Sequence, residues 1–419
     1  MDNTNFTSFN QREVYKIVEK ISSGIFKDEI TFLKSLVQEI VTHQEFQITG
    51  GRIWELNSDF KSYTLKYQYG NVIKIPENYT FLIKEHPFLK DLAYNRTALN
   101  KEDDPVLLSS GILVYSVTGA GELIKTADGK FFKYLLAFNA NEILQSFYET
   151  LSIISSVATI TLRSITKDEE QKKIRRDLDK ASEIQRNLLP EHYLEFHDYK
   201  IYGICIPDSD VGGDYFDYLK NTADEEERIG ILISDAASKG LPAAIQALFV
   251  SGAVRMAQAF SPKISTLFSR LNTLIFDTFP YERFVTLFYC ELSLTSNRLV
   301  LYANAGHTAP IHFRRDKDEV HMLESTGGLL GIVRHQKFNV ENIIMRKGDI
   351  LALYTDGITD CQNVNNEIYG EKRLIELIRK YKDEHPKDIT LKIIEDVQIF
   401  SSGSNYTDDR TLIIIKRDI

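Results

Sequence analysis

ERIGILISDAASKGLPAAIQALF, residues 227–249, packs a strand, a turn and the start of a helix into consecutive positions. The apolar run Ile229 to Ile233 reads as a strand buried on both faces, because a short continuous run bounded by polar residues suits that environment. Asp235 stands at its end. Small residues make the turn, and Pro242 suits the first turn of a helix, where an N–H has no partner to lose. GDILALYTDGITD, residues 348–360, repeats the scheme with Ile350 to Tyr354 and Asp356. NYTDDRTLIIIKRD, residues 405–418, reverses it, since Asp408 and Asp409 precede the strand Thr411 to Lys416. DVGGDYFDYL, residues 210–219, adds a fourth acid, Asp214, where strands at Lys200 to Ile206 and Asp214 to Leu219 join through Pro207 and Gly212-Gly213.

Carboxylates at strand ends are fixed by rigid backbone at the rim of a sheet, where solvent or a metal can reach them. Four together would repel one another unless cations neutralise them. An all-oxygen donor set with no His or Cys at zinc-like spacing points to Mg2+ or Mn2+. Gly212 and Gly213 would admit a metal or a phosphate where side chains would clash. Two such cations can hold a water and a phosphoryl group in line, so phosphoester hydrolysis is the natural reaction.

Composition narrows the class. The 419 residues are 43% hydrophobic, enough for two cored domains, and the net charge of -9 disfavours a nucleic-acid partner. Cys205, Cys290 and Cys361 make neither a disulfide framework nor a CxxC site, which fits a reducing cytoplasm. No apolar run reaches the length of a membrane span, so a soluble protein with no membrane partner is expected.

One seam divides the chain. KDEEQKKIRRDLDK, residues 167–180, carries 11 charges in 14 positions. Helical spacing continues on both sides, through Phe147, Leu151, Ile154, Ala158, Leu162 and Ile165 upstream and Ile174, Leu178, Ala181, Gln185 and Leu188 downstream, until Pro190. Three readings stay open for 167–189: a surface helix on its own domain, a connector that pairs with a second chain, or a tether.

DVGGDYFDYL, ISDAASKGLPAA, YANAGHTAPI, LALYTDGITD and DDRTLIII stand in the order and spacing of the SpoIIE/RsbU-type bacterial serine/threonine phosphatases, a branch of the metal-dependent type 2C phosphatases. The chain resembles that family over about 190–419. The resemblance implies an α-β-β-α sandwich and two Mn2+ or Mg2+ ions per site. Asp235 would bridge them, the Ala236 carbonyl would complete one site, Asp356 and Asp408 would hold the second ion, and Asp214 would bind through water. Asp408 is preferred to Asp409 by family position only. A metal-activated water would then hydrolyse phosphoserine or phosphothreonine, with an anti-anti-sigma (STAS-type) protein as the usual substrate. Ser234 and Ala237-Ser238 depart from the family's usual glycine and Ser-Gly around the bridging acid. They motivate an alternative, a catalytically weak regulator that sequesters such a partner.

Lesser candidates read as structural: Asn304 and His307 as turn residues, Asp217 on the opposite strand face from Asp214, and Cys290 in a core strand. Residues 1–166 suggest helices near 11–22, 29–42 and 142–165 and strands at 51–56, 63–69, 107–117 and 133–138. With GRIWELNSD and a terminal helix, this α/β arrangement resembles a GAF sensor domain, whose ligand is unknown. His43 and His86 read as satisfied or exposed rather than as haem ligands. The expected organisation is therefore α+β: a GAF-like sensor (1–166), a helical connector or switch (167–189) that makes a homodimer, and the phosphatase (190–419).

Overall fold

The computed structural model describes residues 16, 19, 20, 24, 26–101, 108, 109, 114–140, 145–220, 228–280, 282–293, 298–405 and 408–418. The chain forms two compact units, Met1–Arg175 and Arg176–Ile419.

The first unit is built on an antiparallel sheet of β1 (Ile48–Leu56), β2 (Ser62–Gly70), β3 (Thr80–Leu82), β4 (Thr97–Lys101), β5 (Val114–Thr126) and β6 (Gly129–Ala140), in the order β3-β2-β1-β6-β5-β4. Side chains alternate between its faces. Ile53, Leu136 and Phe138 pack on helix α1 (Glu29–Thr42), which Asp28 caps by accepting the Thr31 N–H at 2.7 Å. Trp54, Leu135 and Ala137 face the opposite way, towards the connection that holds Ile83, Leu89 and Leu92.

Strands expected at 51–56, 63–69 and 133–138 are present with longer ends. The one expected at 107–117 is described from Val114 and runs to Thr126, with 107 and 110–113 outside the described residues, and β3 and β4 are additional. Most of the helix expected near 11–22 lies outside the described residues.

The helix expected at 142–165 and the connector are one element, α2 (Gln145–Leu188), 44 residues long. Its stripe does not serve one purpose. Leu151, Ile154, Ala158 and Leu162 are buried against the first unit's own sheet, whereas Ile174 is 61% exposed.

The second unit has two sheets. One runs β15-β12-β11-β10-β9, from β9 (Tyr215–Lys220), β10 (Arg228–Ala236), β11 (Val285–Ser293), β12 (Leu299–Ala305) and β15 (Glu341–Ile344). The other runs β14-β13-β16-β17-β8-β7, from β7 (Tyr193–Phe196), β8 (Tyr199–Ile206), β13 (Ile311–Arg314), β14 (Glu319–Met322), β16 (Ile350–Tyr354) and β17 (Arg410–Arg417). Ile229, Ile231 and Ile233 of β10 meet Leu351 and Leu353 of β16 and Ile413 and Ile415 of β17 between the sheets. The alternate residues point outward. Leu232 packs with Ala243 and Val250 of α3 (Leu241–Gln258) and Phe268 of α4 (Ile264–Thr278). Ala352, Leu412 and Ile414 pack with Leu374 and Ile393, which lie on helices at Gly370–Tyr381 and Pro386–Phe400.

Each buried aliphatic side chain contributes roughly 1.5–3 kcal/mol. Burial on both faces explains why these strands read as unbroken apolar runs, and the layers are helix, sheet, sheet, helix.

Candidate metal centre

Strand parity aims the acids. Asp235 follows Ile229, Ile231 and Ile233 on the face of β10 that looks at the other sheet, and Thr355 and Thr411 continue the inward series of β16 and β17. The mouth between the sheets is therefore polar. Asp214 is buried there, with its Oδ2 accepting from Thr355 Oγ1 at 2.7 Å and from Thr411 Oγ1 at 2.6 Å. Neither threonine was singled out from sequence, although each lies within three residues of an acid motif.

Asp408 and Asp409 divide their work. Asp409 spends its carboxylate on backbone, accepting the Asp208 N–H on Oδ1 and those of Gly213 and Asp214 on Oδ2. Asp408 faces a lysine, with Lys239 Nζ 3.1 Å from its Oδ2. The glycine pair also has a packing reason. A Cβ on Gly212 would lie 2.5 Å from Asp409 Oδ2, and one on Gly213 would lie 3.1 Å from the Ala236 carbonyl oxygen. What fills the space beside Gly212 is the Asp409 carboxylate.

The charges interact strongly. Burial, then the charges of Asp356, Asp408 and Asp409, push the Asp235 carboxyl up to about 8. Burial, then Asp235 and Asp409, hold Asp214 well above the carboxylate range, while burial, then Asp408 and Asp360, raise Asp356. Among the described residues no three His, Cys, Asp or Glu side chains already surround one cation position. The donor set nevertheless fits a hard cation. It is all oxygen, its members raise one another's pKa, and the Lys239 ammonium already stands against Asp408 and lowers both Asp235 and Asp356.

The lesser candidates are structural. Asn304 Nδ2 donates to the carbonyls of His307 and Leu323, and its Oδ1 accepts the His307 N–H. Asp217 accepts from Tyr215 Oη and from Arg255 Nε at 2.6 Å, and Arg255 Nη2 reaches the Leu188 carbonyl at the end of α2. Cys290 is core. Ser234 is buried on the helix-facing side and donates to the Tyr215 carbonyl at 3.4 Å, so this departure lies away from the mouth.

Sequence reasoning did not foresee the partner of Gln185. Its Nε2 donates to the Gly212 carbonyl and its Oε1 accepts the Gly212 N–H.

Paired sheets between helix layers, with acids from four segments at one mouth, have the architecture of a type 2C phosphatase fold. Residues 225–418 match the family described as Stage II sporulation protein E (SpoIIE), and this part of the chain is similar to SpoIIE/RsbU-type serine/threonine phosphatases. It is 26% identical over 259 residues to phosphoserine phosphatase RsbU of Bacillus subtilis (strain 168), covering 62% of this chain and 74% of that one. Phosphoserine phosphatase RsbP of the same organism is 26% identical over 245 residues, covering 58% of each. Protein IcfG of Synechocystis sp. is 27% identical over 277 residues, and only 42% of its length is spanned. The SiaA-PP2C domain of Pseudomonas aeruginosa superposes with a TM-score of 0.50 at 20% identity, over 59% of this chain and 99% of that domain. Among the described residues no helix is long and apolar enough to cross a membrane.

Proposed function

We propose that residues 190–419 hydrolyse phosphoserine or phosphothreonine on a protein substrate at a two-metal site held by Asp235, Asp356, Asp408 and the Ala236 carbonyl, with Asp214 in support. The observation that carries this reading is the gathering of Asp214, Asp235, Asp356 and Asp408 at one mouth between the sheets, close enough for the charges of Asp356 and Asp408 to act on Asp235. When bound, Mn2+ or Mg2+ supplies Lewis-acid activation of water and of a phosphoryl oxygen. The protein's own part is positional. Thr355 and Thr411 fix Asp214, and Asp409 ties down the backbone of Gly213 and Asp214. Asp408 therefore remains available to a cation, in keeping with the choice of Asp408 over Asp409. Lys239 gives a flexible positive charge that can yield its place.

Around this chemistry we place a GAF-like sensor at 1–166, a switch at 167–189 and, as substrate, a STAS-type anti-anti-sigma protein in the cytoplasm. The RsbU and RsbP likeness supports the partner, and the Gln185 pair with Gly212 supports the switch. Exposed Ile153, Ile160 and Ile174 recur at multiples of seven along α2, which supports a homodimer formed through this helix.

Phosphate release from a phosphoserine protein, titrated with Mn2+ and with Mg2+ against a chelator control, tests the reading. Metal-dependent release supports it. Release that survives chelation at full rate contradicts it.

A further inference from the structure

The face of the first unit's sheet opposite α1 holds a cavity. Trp54 and Phe81 in its wall meet edge to face at 4.9 Å, and the His86 ring lies 4.8 Å from that of Phe81. Set among these rings is a guanidinium. Arg52, two residues before Trp54 on the same face of β1, also lines the cavity and is 1% exposed. Its Nη1 donates to Asn139 Oδ1 and its Nη2 to the Ile73 carbonyl at 3.1 Å, while Nε has no partner. His86 was expected to be satisfied or exposed and is neither, being 5% exposed with Nε2 unpartnered.

A buried cation without a counter-charge is expensive, by several kcal/mol in a protein interior. Among the described residues no carboxylate pairs with Arg52, and burial alone pulls the guanidinium down to about 10. An anion would correct the deficit. The Nε and a neighbouring Nη of an arginine present parallel N–H bonds that match the two oxygens of a carboxylate. A tetrahedral, strongly hydrated oxyanion would need more donors than this wall offers, and the aromatic rings suit an apolar tail. The cavity volume is about 40 Å³, enough to admit water but not a bulky molecule. The ligand must be small.

We infer that this cavity binds a short-chain carboxylate, with its oxygens on Arg52 and His86 and its tail among Trp54, Phe81 and Tyr115. Trp54 is the single tryptophan of the chain, so its fluorescence reports on the cavity alone. Full-length protein is titrated with propionate at ionic strength balanced by chloride, and in parallel with propionamide, which has the same shape without the charge. A saturable change with propionate is expected, with propionamide at least about tenfold weaker, and Arg52→Gln should lower propionate affinity by a similar factor. The propionate and propionamide comparison uses the wild-type chain, so it decides even if Arg52→Gln folds poorly. No saturable response up to about 50 mM, well beyond a millimolar affinity, overturns the inference, as does an equal response to the amide. The readout needs no phosphatase activity, so its failure leaves the reading of the acid cluster untouched.

Discussion

Gln185 and Gly212 are joined by two hydrogen bonds, one in each direction, at 2.7 and 3.1 Å. Gly212 leads directly into Gly213 and Asp214, whose N–H groups rest on Asp409, so the connector helix grips the backbone beside the acid cluster. Gln185→Leu leaves two buried backbone groups unpaired, a loss of about 1–3 kcal/mol for the local arrangement. The Mn2+ concentration for half-maximal phosphate release should rise severalfold, while the rate at saturating metal stays within about twofold. An unchanged metal titration would show that this contact carries no control.

Gly212→Ala tests the glycine from the other side. Its Cβ would sit 2.5 Å from Asp409 Oδ2, so the carboxylate must move and the N–H groups of Asp208, Gly213 and Asp214 lose their acceptor. We expect a loss of at least about 2 kcal/mol in urea unfolding, together with weaker metal binding by calorimetry. A variant with normal stability would contradict the packing described.

Asp235 makes the metal-free protein sensitive to alkali. Its folded pKa of about 8 lies above the ordinary 3.8, so the folded state holds the proton more tightly and stability falls as pH climbs between these values. His307, driven down to about 4 by burial, works in the opposite sense but only up to about pH 6.5. Above pH 6.5 that opposing effect is gone, and the fall in stability is shared with Asp214, whose carboxyl is also held well above its ordinary range. In chelator, Asp235→Asn should gain on the wild type by up to about 1.4 kcal/mol per pH unit between 6.5 and 8, seen as a Tm gap that widens by several degrees. A constant gap would mean that the carboxyl is ionised throughout.

Ile160 is 67% exposed on α2, so replacing it need not disturb the first unit's core. Ile160→Glu should halve the molar mass measured by light scattering at micromolar concentration, with Tm little changed. If the wild-type chain is already monomeric there, the exposed isoleucines do not make a dimer.

The catalytic fold was legible because its strands are buried twice over. Ile229 to Ile233, Ile350 to Tyr354 and Thr411 to Lys416 each gave both an element and the acid at its end. The stripe of α2 was legible as helical while its purpose stayed open, since periodicity cannot say which partner covers Leu151 or leaves Ile174 bare. Contacts between distant segments were invisible for the same reason. Thr355 and Thr411 meet Asp214 across well over a hundred residues, and the reason for Gly212 became plain only with Asp409 beside it. In the first unit, nothing in the sequence around Arg52 marks its burial, which depends on segments as distant as Asn139.

The central claim is that Asp235 organises a metal-dependent phosphatase site, and one paired assay tests it most directly. Phosphate release from a phosphoserine protein is followed for wild-type chain and Asp235→Asn, each across a Mn2+ titration, with circular dichroism to show that both are folded. The account predicts metal-dependent release by the wild type and a loss of at least about a hundredfold, some 2.7 kcal/mol, in the variant at every Mn2+ concentration. Folded Asp235→Asn protein that releases phosphate at close to the wild-type rate would contradict it.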